Sequence, residues 1–152
     1  MYKHILIPTD GSELSRRAVV AGVKLARALG ARVTGLFAAP AATPLVYRDL
    51  LPVGYATPPK HAAMIRQAAR RHLAVIERAA RAARVRCETV SVTDDFPADA
   101  ILSLAKRRKC DLIFMASHGR RGLKGVLLGS ETQKVLAGSS IPVLVYRSRG
   151  SS

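Results

Sequence analysis

The sequence predicts an α/β fold, a three-layer sandwich on a five-stranded parallel sheet. Short apolar runs alternate with longer helical stretches from one end of the chain to the other. Parallel strands need such crossovers, and helices on both faces follow from them. The 152 residues suit one domain, and about half of them are hydrophobic, enough for a core without disulfide or metal.

Ile5-Leu6-Ile7 reads as a buried strand ending at Pro8. Ser12 caps a helix through about Leu29, and Gly30 stops it. Val33 to Ala38 is the second strand. The segment from Ala39 to Pro59 carries Pro40, Pro44, Pro52, Pro58, Pro59 and Gly54, and reads as a long surface excursion, a candidate lid. An Ala- and Arg-rich helix runs from Lys60 to about Arg84, and Arg86 to Val92 is the third strand. Pro97 suits the first turn of a helix reaching about Lys109. Leu112 to Ala116 is the fourth strand, Ser130 to Ala137 the last helix and Ile141 to Tyr146 the fifth strand. Residues 1–147 are expected to form the domain and 148–152 a short tail.

Ligands of open parallel sheets bind at the carboxyl ends of the strands, near a topological switch point. That rule directs attention to the loops after the first, second and fourth strands. After the fourth comes Ala116-Ser117-His118-Gly119-Arg120-Arg121-Gly122-Leu123-Lys124-Gly125-Val126-Leu127-Leu128-Gly129-Ser130-Glu131-Thr132. Its glycines permit close backbone approach. Ser130 and Thr132 place hydroxyls at the first turn of a helix, where free N–H groups and the positive dipole end favour phosphate. Arg120, Arg121 and Lys124 add cations, and His118 is the histidine of the loop. The plainer reading is a connector capped by Ser130. The loop is neither a Walker A motif, which needs Gly-Lys-Ser/Thr at set spacing, nor the dinucleotide fingerprint, which follows the first strand.

The segment resembles the signature of the universal stress protein family: Gly-x-x-Gly, nine residues, then Gly-Ser/Thr. Gly119 is the second glycine, Arg120 to Leu128 are the nine, and Gly129-Ser130 close the motif. Ile5-Leu6-Ile7-Pro8-Thr9-Asp10-Gly11-Ser12 is similar to the family's first strand and turn, and Ile141-Pro142-Val143-Leu144-Val145 to its last strand. The resemblance implies strand order 3-2-1-4-5, an adenine nucleotide alpha-hydrolase-like fold, and ATP as ligand, with Mg2+ a candidate companion. It implies that Pro8, Thr9 and Asp10 lie near adenine and ribose, that Ala38 touches the base, and that Gly119, Arg120, Gly122, Gly129, Ser130 and Thr132 belong to the phosphate cradle. It also implies a homodimer through the last strand, whose apolar edge is otherwise a liability. Ala116 stands where the family has its first motif glycine. Its methyl either crowds the nucleotide or prevents a positive φ, which leaves a family member that binds no nucleotide and acts through protein contacts as the alternative, or it is accommodated. Glu131 favours the helix dipole but repels an anion unless it turns away or meets a divalent cation.

The formal charge of +15 points to anionic partners without choosing among nucleotide, nucleic acid and acidic lipid. Arg66, Arg70, Arg71, Arg78, Arg81 and Arg84 on the long helix, and Lys106-Arg107-Arg108-Lys109, read as a solvated face. Nonspecific, salt-sensitive nucleic-acid association through them is the alternative. Asp94 and Asp95 read as a solvated turn rather than metal ligands. His61 and His72, eleven residues apart on one helix at about 1.5 Å rise per residue, are too distant to share a metal. No nucleophile with an orienting acid stands out, so the expected role is binding, with no catalytic or metal-ligating residue assigned. Cys87 and Cys110 form no CxxC pair and are expected to be reduced. No apolar run approaches the roughly 20 residues that cross a bilayer, and Met1-Tyr2-Lys3-His4 lacks a signal-peptide pattern, so a cytoplasmic protein without a membrane partner is expected.

Overall fold

β1 (His4–Thr9) is the centre of a five-stranded sheet. It pairs in parallel with β2 (Arg32–Ala39) on one side and with β4 (Leu112–Ala116) on the other. β3 (Cys87–Thr93) and β5 (Val143–Tyr146) are the edges, giving the order β3-β2-β1-β4-β5 with every pairing parallel. The crossovers are α1 (Glu13–Leu29), α2 (Pro58–Ala83), α3 (Pro97–Arg107) and α4 (Ser130–Gly138). The structure is a computed structural model that describes residues 1–39, 58–119 and 128–148.

The period-two alternation of a strand sends successive side chains to opposite faces. Ile5, Ile7, Val33, Phe37, Leu112 and Phe114 turn to one face, where α1 and α2 cover them with Val19, Val23, Leu73 and Ile76. Leu6, Leu36, Ile113 and Met115 turn to the other, under Ile101 and Leu104 of α3 and Val135 of α4. Burial on both faces explains why the central strands read as continuous apolar runs. The arginines of α2 stay exposed on its outer side. Cys110 is buried and Cys87 half-buried, both are free, and burial pushes each thiol up to about 11. Among the described residues no helix is long and apolar enough to cross a membrane.

Several boundaries differ from expectation for local reasons. β5 begins at Val143 rather than Ile141. Ser139 Oγ donates to the Ile141 carbonyl and accepts its N–H, and Pro142 has no N–H to give to a ladder. α3 stops at Arg107 because Lys109 is left-handed, with φ 55°. Ala39 ends β2, and Pro58 and Pro59 open α2, so the Ala39–Pro59 excursion is shorter at both ends. Its remainder, and its lid role, lie outside the described residues.

Candidate functional site

The strand order reverses between β1 and β4, and a cavity of about 700 Å³ opens there at the carboxyl edge of the sheet. β1 contributes Pro8 and Thr9, followed by Asp10; β2 contributes Ala38, and β4 Met115 and Ala116. His118, Gly119, Gly129, Ser130, Glu131 and Thr132 form the wall beyond β4. The remaining two candidates, Arg120 and Gly122, lie outside the described residues.

The turn after β1 is tied by its own side chains. Thr9 Oγ1 accepts the Gly11 N–H at 3.1 Å and lies 3.0 Å from Ser15 Oγ. Asp10 Oδ1 accepts the Ser12 N–H at 2.9 Å, and Ser12 Oγ accepts the Ser15 N–H to cap α1. Thr9 is therefore largely engaged in shaping the loop, while Asp10 also reaches Gly119. A side chain at position 119 would overlap Asp10 Oδ2, so the loops after β1 and β4 meet only because residue 119 has none.

The far end of the β4 loop returns in the same way. The Gly129 N–H donates to the Ser117 carbonyl at 2.7 Å, and a Cβ at 129 would stand 3.1 Å from His118 Cα. α4 then starts with no side-chain cap. Its first ladder bond runs from Gln133 N–H to the Gly129 carbonyl, so the N–H groups of Ser130, Glu131 and Thr132 have no protein acceptor among the described residues. They face the cavity at the positive end of the helix dipole, which is an arrangement for an anion. Ser130 Oγ is exposed beside them.

Thr132 differs from Ser130. It is buried, and its hydroxyl donates to the Ala116 carbonyl at 3.0 Å, fastening α4 to the end of β4. Glu131 turns away from the α4 cradle. Its Oε2 accepts the Ala98 N–H at 3.0 Å, capping α3, and its Oε1 meets Lys134 at 3.3 Å. The repulsion raised by its charge is thereby reduced. Ala116 has ordinary strand backbone, and its methyl belongs to the α1-side core cluster. His118 Nδ1 sits 3.2 Å from Ser117 Oγ.

Ser15, Asp94, Asp95, Pro97, Ile101 and Gln133 also line the cavity and were not anticipated. β3 pairs in register with β2, from Val33–Cys87 to Ala39–Thr93, which brings the turn after β3 to the same edge. The available signal was the pair Asp94-Asp95 directly before a helix-opening proline. Asp94 Oδ1 accepts the Phe96 N–H at 2.9 Å, a local turn bond. Among the described residues no cluster of His, Cys, Asp or Glu could hold a metal ion by itself.

The universal stress protein family model matches residues 1–147. The chain belongs to the universal stress protein family. A universal stress protein of Thermus aquaticus, encoded beside a QAH/OAS sulfhydrylase, is 33% identical over 158 residues, covering 97% of this chain and all of the relative. The solved structure of MJ0577 from Methanocaldococcus jannaschii superposes with a TM-score of 0.79 at 26% identity, over 99% of both chains. A universal stress protein solved in complex with cAMP superposes with a TM-score of 0.66 at 27% identity, over 96% of this chain and 97% of that one. In this universal stress protein, Ala116 at the first motif position costs no backbone strain, since a strand φ suits any residue.

Proposed function

We propose that the cavity binds an adenine nucleotide, ATP above others, and that the protein is a cytoplasmic, non-enzymatic module of a stress response. The uncapped first turn of α4, facing a cavity of about 700 Å³, carries this reading. The size is within the usual range for small-ligand sites, about 300–1,000 Å³. Phosphates rest on the N–H groups of Ser130 and Glu131 and on Ser130 Oγ. The base occupies the apolar side formed by Pro8, Ala38, Ile101 and Met115. Complexation of cAMP by a relative supports the ligand class. Asp10, Asp94 and Asp95 make the wall acidic, which favours a nucleotide arriving with Mg2+ over the bare tetra-anion.

Calorimetric titration of Mg-ATP tests the reading, after a denatured sample has been checked for co-purified nucleotide. Micromolar binding is expected, weakened about tenfold in Ser130→Ala, the loss of one hydrogen bond to a charged group. Chelating the magnesium should weaken it further. An absence of both heat and bound nucleotide overturns the reading.

β5 ends the sheet with Leu144 39% exposed. We propose that this edge pairs with its twin in a homodimer, as unpaired edges require cover. A monomer at micromolar concentration in equilibrium sedimentation contradicts that.

A further inference from the structure

At the opposite pole, the amino ends of the strands, α1, α2 and α3 all end in one way. A residue just past the helix, two beyond α1 and α2 and three beyond α3, returns its N–H to a carbonyl in the last turn: Ala31 to Ala26, Val85 to Ala80 and Cys110 to Ala105. The residue immediately before it is left-handed in each, Gly30 at φ 67°, Arg84 at 57° and Lys109 at 55°. Glycine is the usual occupant of this position because a side chain is strained there. Two of the three termini hold a cation instead.

The turns after α1 and α2, with Lys3, enclose a second concavity of about 340 Å³. Lys3, Arg27, Arg32, Arg84 and Arg86 line it, and all five are exposed. None forms an ion pair among the described residues. Of the neighbouring acids, Asp111 accepts the N–H groups of Lys3 and His4 with its two oxygens, and Glu88 holds Arg108 at 2.6 Å. The helix-end carbonyls just named are met by backbone N–H groups, so the guanidiniums are not needed as caps. Five convergent cations, none of them in an ion pair among the described residues, repel one another, and one of them occupies a backbone position that suits glycine better. Strain held in this way calls for a functional explanation.

We propose that this pole is a second ligand site, distinct from the nucleotide cavity, for a compact anion bearing several phosphates. Guanidinium forks suit phosphate oxygens. The cations converge on one concavity from three chain segments rather than forming a stripe. No aromatic side chain lines it, so it lacks the stacking platform of single-stranded nucleic-acid sites. The inference is independent of the nucleotide reading, because the two sites share no residue.

Sodium tripolyphosphate, titrated at about 50 mM salt where screening is weak, is the probe. Saturable binding is expected, with amide shifts at Arg32, Arg84 and Arg86 and an affinity read at those amides that falls about tenfold or more in Arg32→Gln/Arg86→Gln. Arg84→Gly should weaken it as well while raising the melting temperature, a combination that a merely structural Arg84 would not give. The proposal is overturned by unmoved amides at Arg32, Arg84 and Arg86, by indifference to the arginine pair, by shifts confined to the α4 first turn, or by a lower melting temperature in Arg84→Gly. It is equally overturned if single-stranded oligonucleotides bind with affinity growing with length while tripolyphosphate does not saturate.

Discussion

Gly119→Ala tests whether the loops after β1 and β4 are locked by contact between Asp10 and Gly119. The new Cβ would overlap Asp10 Oδ2 and lie 3.2 Å from its Cγ. Asp10 has to swing away, breaking its 2.9 Å bond to the Ser12 N–H. A hydrogen bond to a charged acceptor contributes about 1.5–3 kcal/mol, and partial exposure favours the low end. Against this, replacing a glycine whose φ is not positive restricts the unfolded chain and returns about 0.5 kcal/mol. Gly119→Ala should therefore destabilise by about 1 kcal/mol and Asp10→Ala by about 1.5 kcal/mol. With Asp10 truncated the methyl has room, so adding Gly119→Ala to Asp10→Ala should stabilise by about 0.5 kcal/mol. Urea melts of the four proteins give the cycle, with an expected coupling of about 1.5 kcal/mol. If Gly119→Ala destabilises both backgrounds equally, the contact does not lock the loops.

Thr132→Val removes the donor to the Ala116 carbonyl and should cost about 1 kcal/mol in urea melts, with nucleotide affinity within about twofold of the parent. Ala116→Gly should destabilise by about 1 kcal/mol through backbone freedom and lost packing, and raise ATP affinity less than about threefold in calorimetry. A tenfold gain would show that the methyl crowds the ligand. Burial first, then the Arg32 charge, lowers the His4 pKa below its ordinary 6.5, while a backbone hydrogen bond at Arg108 and the charges of Glu88 and Asp111 oppose this. As pH falls below 6.5 the unfolded chain takes the proton first, so stability drops from there to the lower native value and levels off beneath it. Urea melts between about pH 7 and 5 should show a steeper loss for the parent than for His4→Gln, and parallel curves would refute the assignment.

The sheet was legible because its central strands are buried on both faces and its helices are bounded by Ser12, Gly30 and Pro97, so periodicity and caps agreed. Strand order was legible only through resemblance, since nothing in the apolar runs says which neighbours which. β5 was read too long because Ile141 is apolar, while its N–H and carbonyl are bound locally by Ser139. The roles of Thr132 and Glu131 were hidden for a related reason. Each sits in a helix first turn that suggests anion contact, yet each bonds to a group distant in sequence, Ala116 or Ala98. Asp94 and Asp95 reach the cavity through the β2–β3 register, which only the folded sheet fixes.

The most direct test of the proposed nucleotide site is a backbone amide NMR titration with Mg-ATP. The account predicts saturating shifts at Gly119, Gly129, Ser130 and Glu131, reproduced at the β1 turn by adenosine alone. Shifts confined to Arg32, Arg84 and Arg86, with the α4 first turn unmoved, would contradict it.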